Sequence, residues 1–425
     1  MRFVTGFDAA KKLLERRANT YAGNSAVEQS VRAVIEEVVC DGDAALRRFT
    51  AKYDRVDLKT FEVTKERIAA AKSAIDPELL AALEIAAGRI HDYHLEQRRA
   101  ISTMETAMNG RQVFRPLERV GVYAPGGKAY YPSTVLMTAI PAKAAGVPEV
   151  ILATPPGPDG HIPAPTLAAA AIAGVDRVFS IGGAQAIAAL AYGTETVPQV
   201  DKICGPGNIY VMTAKRLVYG AVAIDGLQGP SEVLIIADEG ANLAFVASDM
   251  LAQAEHDPMA QSVLVTTSLT LGRQVMAAFR AETSDPARRE IVEKSLEEHG
   301  IVAVVETLDE AVELANIFAP EHLLVLAVGA KKILEKINNA GCAFIGGKAS
   351  VAFGDYVAGP SHTLPTGGTA RFASPLNVLD FLKIIDVVHV DDLMVKNFGP
   401  AAATIARAEG LTAHEDALRL RTETP

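Results

Sequence analysis

The pattern that most restricts this 425-residue chain runs from Val120 to Gly347, where short apolar, β-branched runs alternate with stretches at helical spacing. EVILATPP (Glu149 to Pro156), RVFSIGG (Arg177 to Gly183) and KICGPGN (Lys202 to Asn208) each end in a Gly/Pro loop. Unbroken apolar runs of that length suit strands covered on both faces, and Val135 to Ala145, Pro165 to Ala173 and Ala184 to Tyr192 carry the helical period between them. A second series follows, with EVLIIAD from Glu232, QSVLVTTS from Gln261, IVAVVET from Ile301, LLVLAV from Leu323 and CAFIGG from Cys342. Such alternation predicts parallel sheets with helices on both faces. The expected fold is α/β, with two tandem doubly wound, incompletely Rossmann-like domains that meet near Gly226 to Pro230.

The flanks read differently. Ser25 to about Arg99 is helical in pattern, with Asp41-Gly42-Asp43 as a break and a new cap, so the expectation is an N-terminal arm (1–24) followed by a helical cover. The domains are then 25–119 with 231–375 as the first α/β unit, 120–230 as the second, and 376–425 as a helical C-terminal tail. Within the cover, His91 and His94 of HDYH stand three apart, but two histidines on an Arg-rich surface helix are usually solvated. Lys348 to Pro375 is a long Gly/Pro/Ser/Thr-rich segment, and a loop of that length in a compact protein is usually functional.

A net charge of −10 without any Lys/Arg run argues against nucleic acid or an anionic membrane as the main partner. The three cysteines, Cys40, Cys204 and Cys342, form no CxxC and no even framework, so neither a disulfide scaffold nor a thiolate zinc site is indicated. The first twenty residues lack an apolar targeting core, and no run is long enough to span a bilayer. A cytoplasmic enzyme acting on small molecules is the expected class.

Polar residues that carry chemistry sit around this scaffold. DMLAQAEHDP (Asp249 to Pro258) reads as the last turn of a helix N-capped by Asn242, and it places Gln253 and His256 on one face. In APEHLL, Glu321-His322 pairs a carboxylate with an imidazole at a strand mouth. That suits acid–base work, although a capped solvent-facing turn would read the same. His256, Asp355, His362 and His414, with Gln253 as an amide donor, are raw candidates for a borderline divalent metal such as zinc, at spacings that match no general metal motif. The loops GPGN and GGAQ, each after a strand, and YAPGGKAYYPST, after the run from Val120 that is expected at a sheet edge, would offer backbone N–H groups to an anion or nucleotide at the strands' carboxyl ends, but none is GxGxxG. Cys204 precedes GPGN without a cationic partner in sequence, which favours a packing residue over a nucleophile.

Taken together these segments are recognisable. IDGLQGPSEVLIIADEGANLAFVASDMLAQAEH (Ile224 to His256) resembles the signature region of the histidinol dehydrogenases, and GVYAPGGKAYYPSTVLM, IGGAQAIAALAYG, CGPGNIYV, APEHL, GDYVAGPSHTLPTGGTARF and EGLTAH resemble that family's other blocks, in order, from about Ala26 to Arg421. The resemblance implies an NAD-dependent, zinc-requiring oxidation of L-histidinol to L-histidine through the aldehyde, the last step of histidine biosynthesis, in a homodimer with shared sites. It implies Gln253, His256, Asp355 and a neighbour's His414 as zinc ligands, and Glu321 and His322 as the catalytic pair. Ser231, His362 and Glu409 would line the substrate together with the metal ligands, and Tyr123, Gln185 and Asn208 would contact NAD.

One block departs from the family's pattern. Where IDMPAGPSE is common, this chain reads IDGLQGPSE, which sets Gly226 and Gln228 beside Ser231 and raises the expectation of a reshaped pocket. Two other readings remain beside the first. One is a zinc and NAD enzyme of the same type acting on another small polyol, such as a sulfopropanediol; the other is a zinc hydrolase in which Glu321 activates water.

Overall fold

The computed structural model describes residues 1–15, 25–101, 104–105, 110–126, 130–278 and 286–423. Their contacts divide into two units, one formed by 1–99 with 116–381 and the other by 100–115 with 382–425.

The first unit holds two six-stranded sheets. One runs, in spatial order, through Arg2–Thr5, Ile301–Val304, Gln261–Thr266, Glu232–Ala237, His322–Leu326 and Cys342–Ile345, with every pair parallel. The other runs through Glu62–Val63, Arg177–Ser180, Glu149–Thr154, Arg119–Tyr123, Lys202–Cys204 and Ala223–Ile224, and only Glu62–Val63 is antiparallel to its neighbour. In each sheet the chain builds outward on one side and then returns to the other, so each has a point where strand order reverses. That point lies between Glu232–Ala237 and His322–Leu326 in the first sheet, and between Arg119–Tyr123 and Lys202–Cys204 in the second. The residues of Glu232–Ala237 and His322–Leu326 are all buried, which is why these strands read as unbroken apolar runs.

Four sequence expectations need correction. The expected N-terminal arm is, over Arg2–Thr5, an edge strand of the first sheet, paired with Ile301–Val304. Its four residues are too few to show an alternating pattern. The helical cover expected to join the first α/β domain packs on the second. Val31, Val34 and Leu46 of the helix Ser25–Phe49 share one apolar cluster with Ile151, Phe179, Ile187 and Leu190. Sequence period shows that a face is apolar, not which sheet it meets. The run from Val120, expected at an edge, belongs to the strand at the middle of its sheet. Finally, the tail is not wholly helical: Leu382–Val388 is a strand beside Gly110–Pro116 in the second unit, and the helices Asp392–Ala408 and Thr412–Glu423 follow it.

The break at Gly42 has a local cause. Its φ is 52°, and a Cβ there would run into the Glu195 carboxylate, which accepts the Asp43 N–H at 2.7 Å. Asp43 in turn accepts from the hydroxyls of Thr194 and Thr196 at 2.7 and 3.0 Å, which fastens the long helix to the loop after Tyr192. Among the described residues no helix is long and apolar enough to cross a membrane.

Candidate active site

Glu321 and His322 open the strand His322–Leu326, directly after Ala319 and Pro320. Ala319 adopts φ 49°, a left-handed conformation uncommon for alanine, and it ends the helix Leu308–Phe318 abruptly. The two side chains that follow are nearly inaccessible, at 6% and 4% exposure, so the solvent-facing turn is excluded. The Glu321 carboxylate accepts from the Ser231 hydroxyl and from the Glu232 N–H, both at 2.9 Å. His322 Nδ1 lies 3.1 Å from the Glu232 carbonyl oxygen, an arrangement in which Nδ1 carries the proton. Nε2 is then the basic nitrogen; it is buried, has no hydrogen-bond partner, and stands 3.8 Å from the Asp355 carboxylate.

Four further side chains come from neighbouring elements. The helix Leu243–Ala254, N-capped by the Asn242 side chain as expected, carries Gln253 in its last turn, and His256 follows two residues beyond the helix end. Gln253 is buried and its amide nitrogen has no partner. Asp355 sits on a short helix, Val351–Tyr356, inside the segment that the sequence showed as loop; Ser350 caps this helix by accepting from the Ala352 N–H. His362 has both ring nitrogens engaged, with Nδ1 3.0 Å from the Asp355 carbonyl oxygen and Nε2 3.3 Å from the Thr134 hydroxyl. Because Thr134 belongs to Pro132–Ala145, His362 reaches from one α/β half to the other.

Burial sets the electrostatics. It pushes Glu321 well above the ordinary carboxyl value, with the neighbouring Glu232 and Asp355 charges adding to the effect and its two hydrogen bonds opposing it. Asp355 is pushed up to about 6 by burial. The imidazoles move the other way, His322 to about 3 and His362 to about 4, each through burial first, with a backbone hydrogen bond opposing the shift and repulsion from His256 adding to it. His256 is lowered as well, chiefly by desolvation of its ring, although the residue as a whole is exposed. Carboxyls that resist ionising beside imidazoles that resist protonation describe a site short of positive charge.

The constellation lies at the amino ends of the strands Glu232–Ala237 and His322–Leu326, not at the carboxyl ends where ligands were expected. Ser231, Glu321 and His322 come immediately before or at the start of their strands, and the C-terminus of Leu243–Ala254 brings Gln253 to the same edge. In the second sheet the residues expected to contact NAD do lie at the carboxyl ends of strands. There Tyr123, Gln185 and Asn208 follow or end strands that line one edge, with Tyr123 and Asn208 flanking the reversal point.

Several of the presumed anion-binding donors are nevertheless in use. The Gly183 N–H donates to the Tyr123 hydroxyl at 3.1 Å, and the Gly205 N–H to Asp225 at 2.7 Å. Asn208 accepts from the N–H groups of Tyr210 and Val211, capping its own helix. Of the YAPGGKAYYPST loop, 127–129 lie outside the described residues.

Gln228, the departure from the common pattern, is tied to a buried lysine. It is buried, and its amide oxygen accepts from Lys215 Nζ at 2.9 Å. Lys215, fully buried, also donates to the Gly205 carbonyl at 2.9 Å and is paired with Asp225. Cys204 is buried and its thiol is held well above its ordinary value by burial, consistent with a packing residue. His94 is buried rather than solvated, while His91 is exposed, so the two do not chelate. His414 and Glu409 belong to the second unit, where both are exposed.

The sequence matches the histidinol dehydrogenase family over residues 17–422. The chain belongs to that family. It is 53% identical, over the full length of both chains, to a histidinol dehydrogenase of Dehalococcoides mccartyi (strain CBDB1), and 47% identical to one of Methanosarcina mazei, covering 97% of this chain and 96% of that one. Among solved structures, the histidinol dehydrogenase of Elizabethkingia anophelis superposes with a TM-score of 0.92 at 36% identity, covering 99% and 98% of the two chains. As a member of the histidinol dehydrogenase family, the chain has a fold set by more than the alternating pattern alone.

Among the described residues, no three His, Cys, Asp or Glu side chains are gathered closely enough to hold a metal ion. The donor set expected in this unit supplies only two of those types, His256 and Asp355, with the neutral amide of Gln253. An unpartnered buried amide, a buried carboxyl with raised proton affinity and neutral imidazoles fit a divalent cation, whose charge would offset each of them.

Proposed function

We propose that the protein oxidises L-histidinol to L-histidine by way of the aldehyde, a four-electron reaction, with NAD and one zinc ion per site. The observation that carries the reading is the buried Glu321–His322 pair, held by Ser231 and the Glu232 backbone and facing Asp355 and His362, in a chain of the histidinol dehydrogenase family. Bound NAD would supply the hydride acceptor, and zinc held by Gln253, His256 and Asp355 would supply charge and a fixed point for the amino alcohol.

The chain's own residues account for the proton movements. His322, neutral and with Nδ1 fixed on the Glu232 carbonyl, presents Nε2 as the base for the substrate hydroxyl in the first half-reaction and for the hydrate in the second. Glu321 is the group for hydrating the aldehyde. Its raised proton affinity, set by burial, makes the carboxylate a stronger base toward water than an exposed one. Ser231 holds that carboxylate in place. His362 lines the substrate's place, and Tyr123, Gln185 and Asn208 border the nucleotide. His322 and Glu321 are both too deeply buried to exchange protons freely with bulk water, which protects a bound aldehyde between the two steps.

The assembly we propose is a homodimer in which His414 and Glu409 of one copy complete the site of the other. Its support is the second unit, where Ile384, Val388, Leu393, Phe398, Ile405 and Leu420 all stand exposed.

The test is turnover of L-histidinol, of a sulfonated propanediol and of a simple ester by one preparation, before and after chelator treatment. NADH formation from L-histidinol alone, lost with chelator and restored by zinc, is expected. Oxidation of only the sulfonate would move the reading to the related polyol enzymes. Ester hydrolysis without any NADH would overturn it in favour of a hydrolase.

A further inference from the structure

The two elements that carry the proposed metal donors are joined by a residue outside the donor set. Asp249 lies one helical turn before Gln253 on Leu243–Ala254 and is only 4% exposed. One of its carboxylate oxygens accepts from the Ser350 hydroxyl at 2.6 Å and from the Val351 N–H at 3.3 Å. Ser350 is the N-cap and Val351 the first residue of the short helix that carries Asp355 four positions later. The same helix is seated from below on Phe344, since a Cβ at Gly354 would come within 2.4 Å of that ring. A helix of six residues has little stability of its own, so its position depends on what holds its ends and its buried face.

We propose that Asp249 is a positioning residue for the metal site: its carboxylate locks the start of the Asp355 helix to the Gln253 helix and so fixes the separation of the donors. The inference rests on the zinc reading above. Without the tether the six-residue helix is free to shift on Phe344, and Asp355 must then be brought into place at the moment of binding. Groups that orient metal ligands without touching the metal are each worth about 10- to 100-fold in affinity. Asparagine at position 249 keeps an oxygen that can accept both hydrogen bonds, whereas alanine keeps neither.

The experiment measures zinc affinity of the full-length, metal-stripped protein by competition with a chromophoric chelator, with Tm of the metal-free form recorded in parallel. The expected result is affinity roughly 10-fold or more weaker in Asp249→Ala and weakened also in Ser350→Ala, with Asp249→Asn within about 3-fold of the parent. Thr194→Ala is the control for general loosening, because it removes the hydrogen bond to the buried Asp43 on the second sheet's side, far in the fold from the elements that carry the donors. If Asp249→Ala proves unfolded, Ser350→Ala decides. Parent-like zinc affinity in a folded Asp249→Ala, or in Ser350→Ala when that variant decides, overturns the proposal, as does an equal loss in Thr194→Ala. A parent protein that binds no zinc fails the zinc reading itself, and the proposal falls with it.

Discussion

Gln228 shows how a residue's role is decided by what its polar atoms touch. Its amide oxygen completes the hydrogen bonding of Lys215, a cation with no exposed surface, together with Asp225 and the Gly205 carbonyl. A buried ammonium left short of an acceptor costs more than the net worth of the bond it loses. Gln228→Ala is therefore expected to lower stability by about 1–3 kcal/mol in chemical denaturation, with the preference for L-histidinol over other alcohols unchanged. A parent-like midpoint with altered substrate preference would show that the amide faces the pocket after all. Sequence could place Gln228 near Ser231 but not orient it, because Lys215 lies thirteen residues back on a helix of the other half. Glu321-His322 was more legible, since a carboxylate next to an imidazole at a strand start is local information. Their burial and the approach of Asp355 are not local.

Elements were legible where a period repeats and hidden where it is too short. The strands and helices between Val120 and Gly347 follow from alternation of apolar runs and Gly/Pro loops, and caps such as Asn242 fall where their chemistry indicates. Arg2–Thr5, Leu382–Val388 and the helix bearing Asp355 did not show, being short or set within turn-forming composition. The helix Pro77–Ala100 supplies a prediction at this scale. Burial holds the His94 imidazole below its ordinary value near 6.5, with the Ile90 carbonyl 2.8 Å from Nδ1 opposing the shift. Above that value both folded and unfolded chains carry a neutral ring, so the full stability is present. As pH falls through and below it, the unfolded chain takes up a proton that the folded one resists, and stability declines toward the lowered folded value. The drop in Tm between about pH 7.5 and about pH 5 should accordingly be smaller in His94→Gln than in the parent. An equal drop would remove His94 from the account.

At the scale of the whole molecule, two sheets contribute opposite edges to the proposed chemistry. The first presents its strands' amino ends with the acid–base groups, and the second its carboxyl ends with the residues proposed to border the nucleotide. The 361–367 segment joins them through His362 to Thr134, Ser361 to the Met137 carbonyl, and Gly367 to Glu232. That long Gly/Pro-rich stretch stood out in the sequence by its length; the halves it connects did not, because its partners lie more than a hundred residues away. If two copies share sites, mixing inactive His256→Ala with inactive His414→Ala under conditions of subunit exchange should restore up to about a quarter of parental activity through mixed dimers that hold one intact site. No recovery after demonstrated exchange would exclude shared sites. The central claim, a four-electron oxidation dependent on a bound cation, is tested most directly by the NADH formed per molecule of L-histidinol consumed, in zinc-loaded protein and again after chelation. The account predicts about two NADH per L-histidinol, abolished by the chelator and regained with zinc. A yield of about one with free aldehyde accumulating, or two with no dependence on the metal, would contradict it.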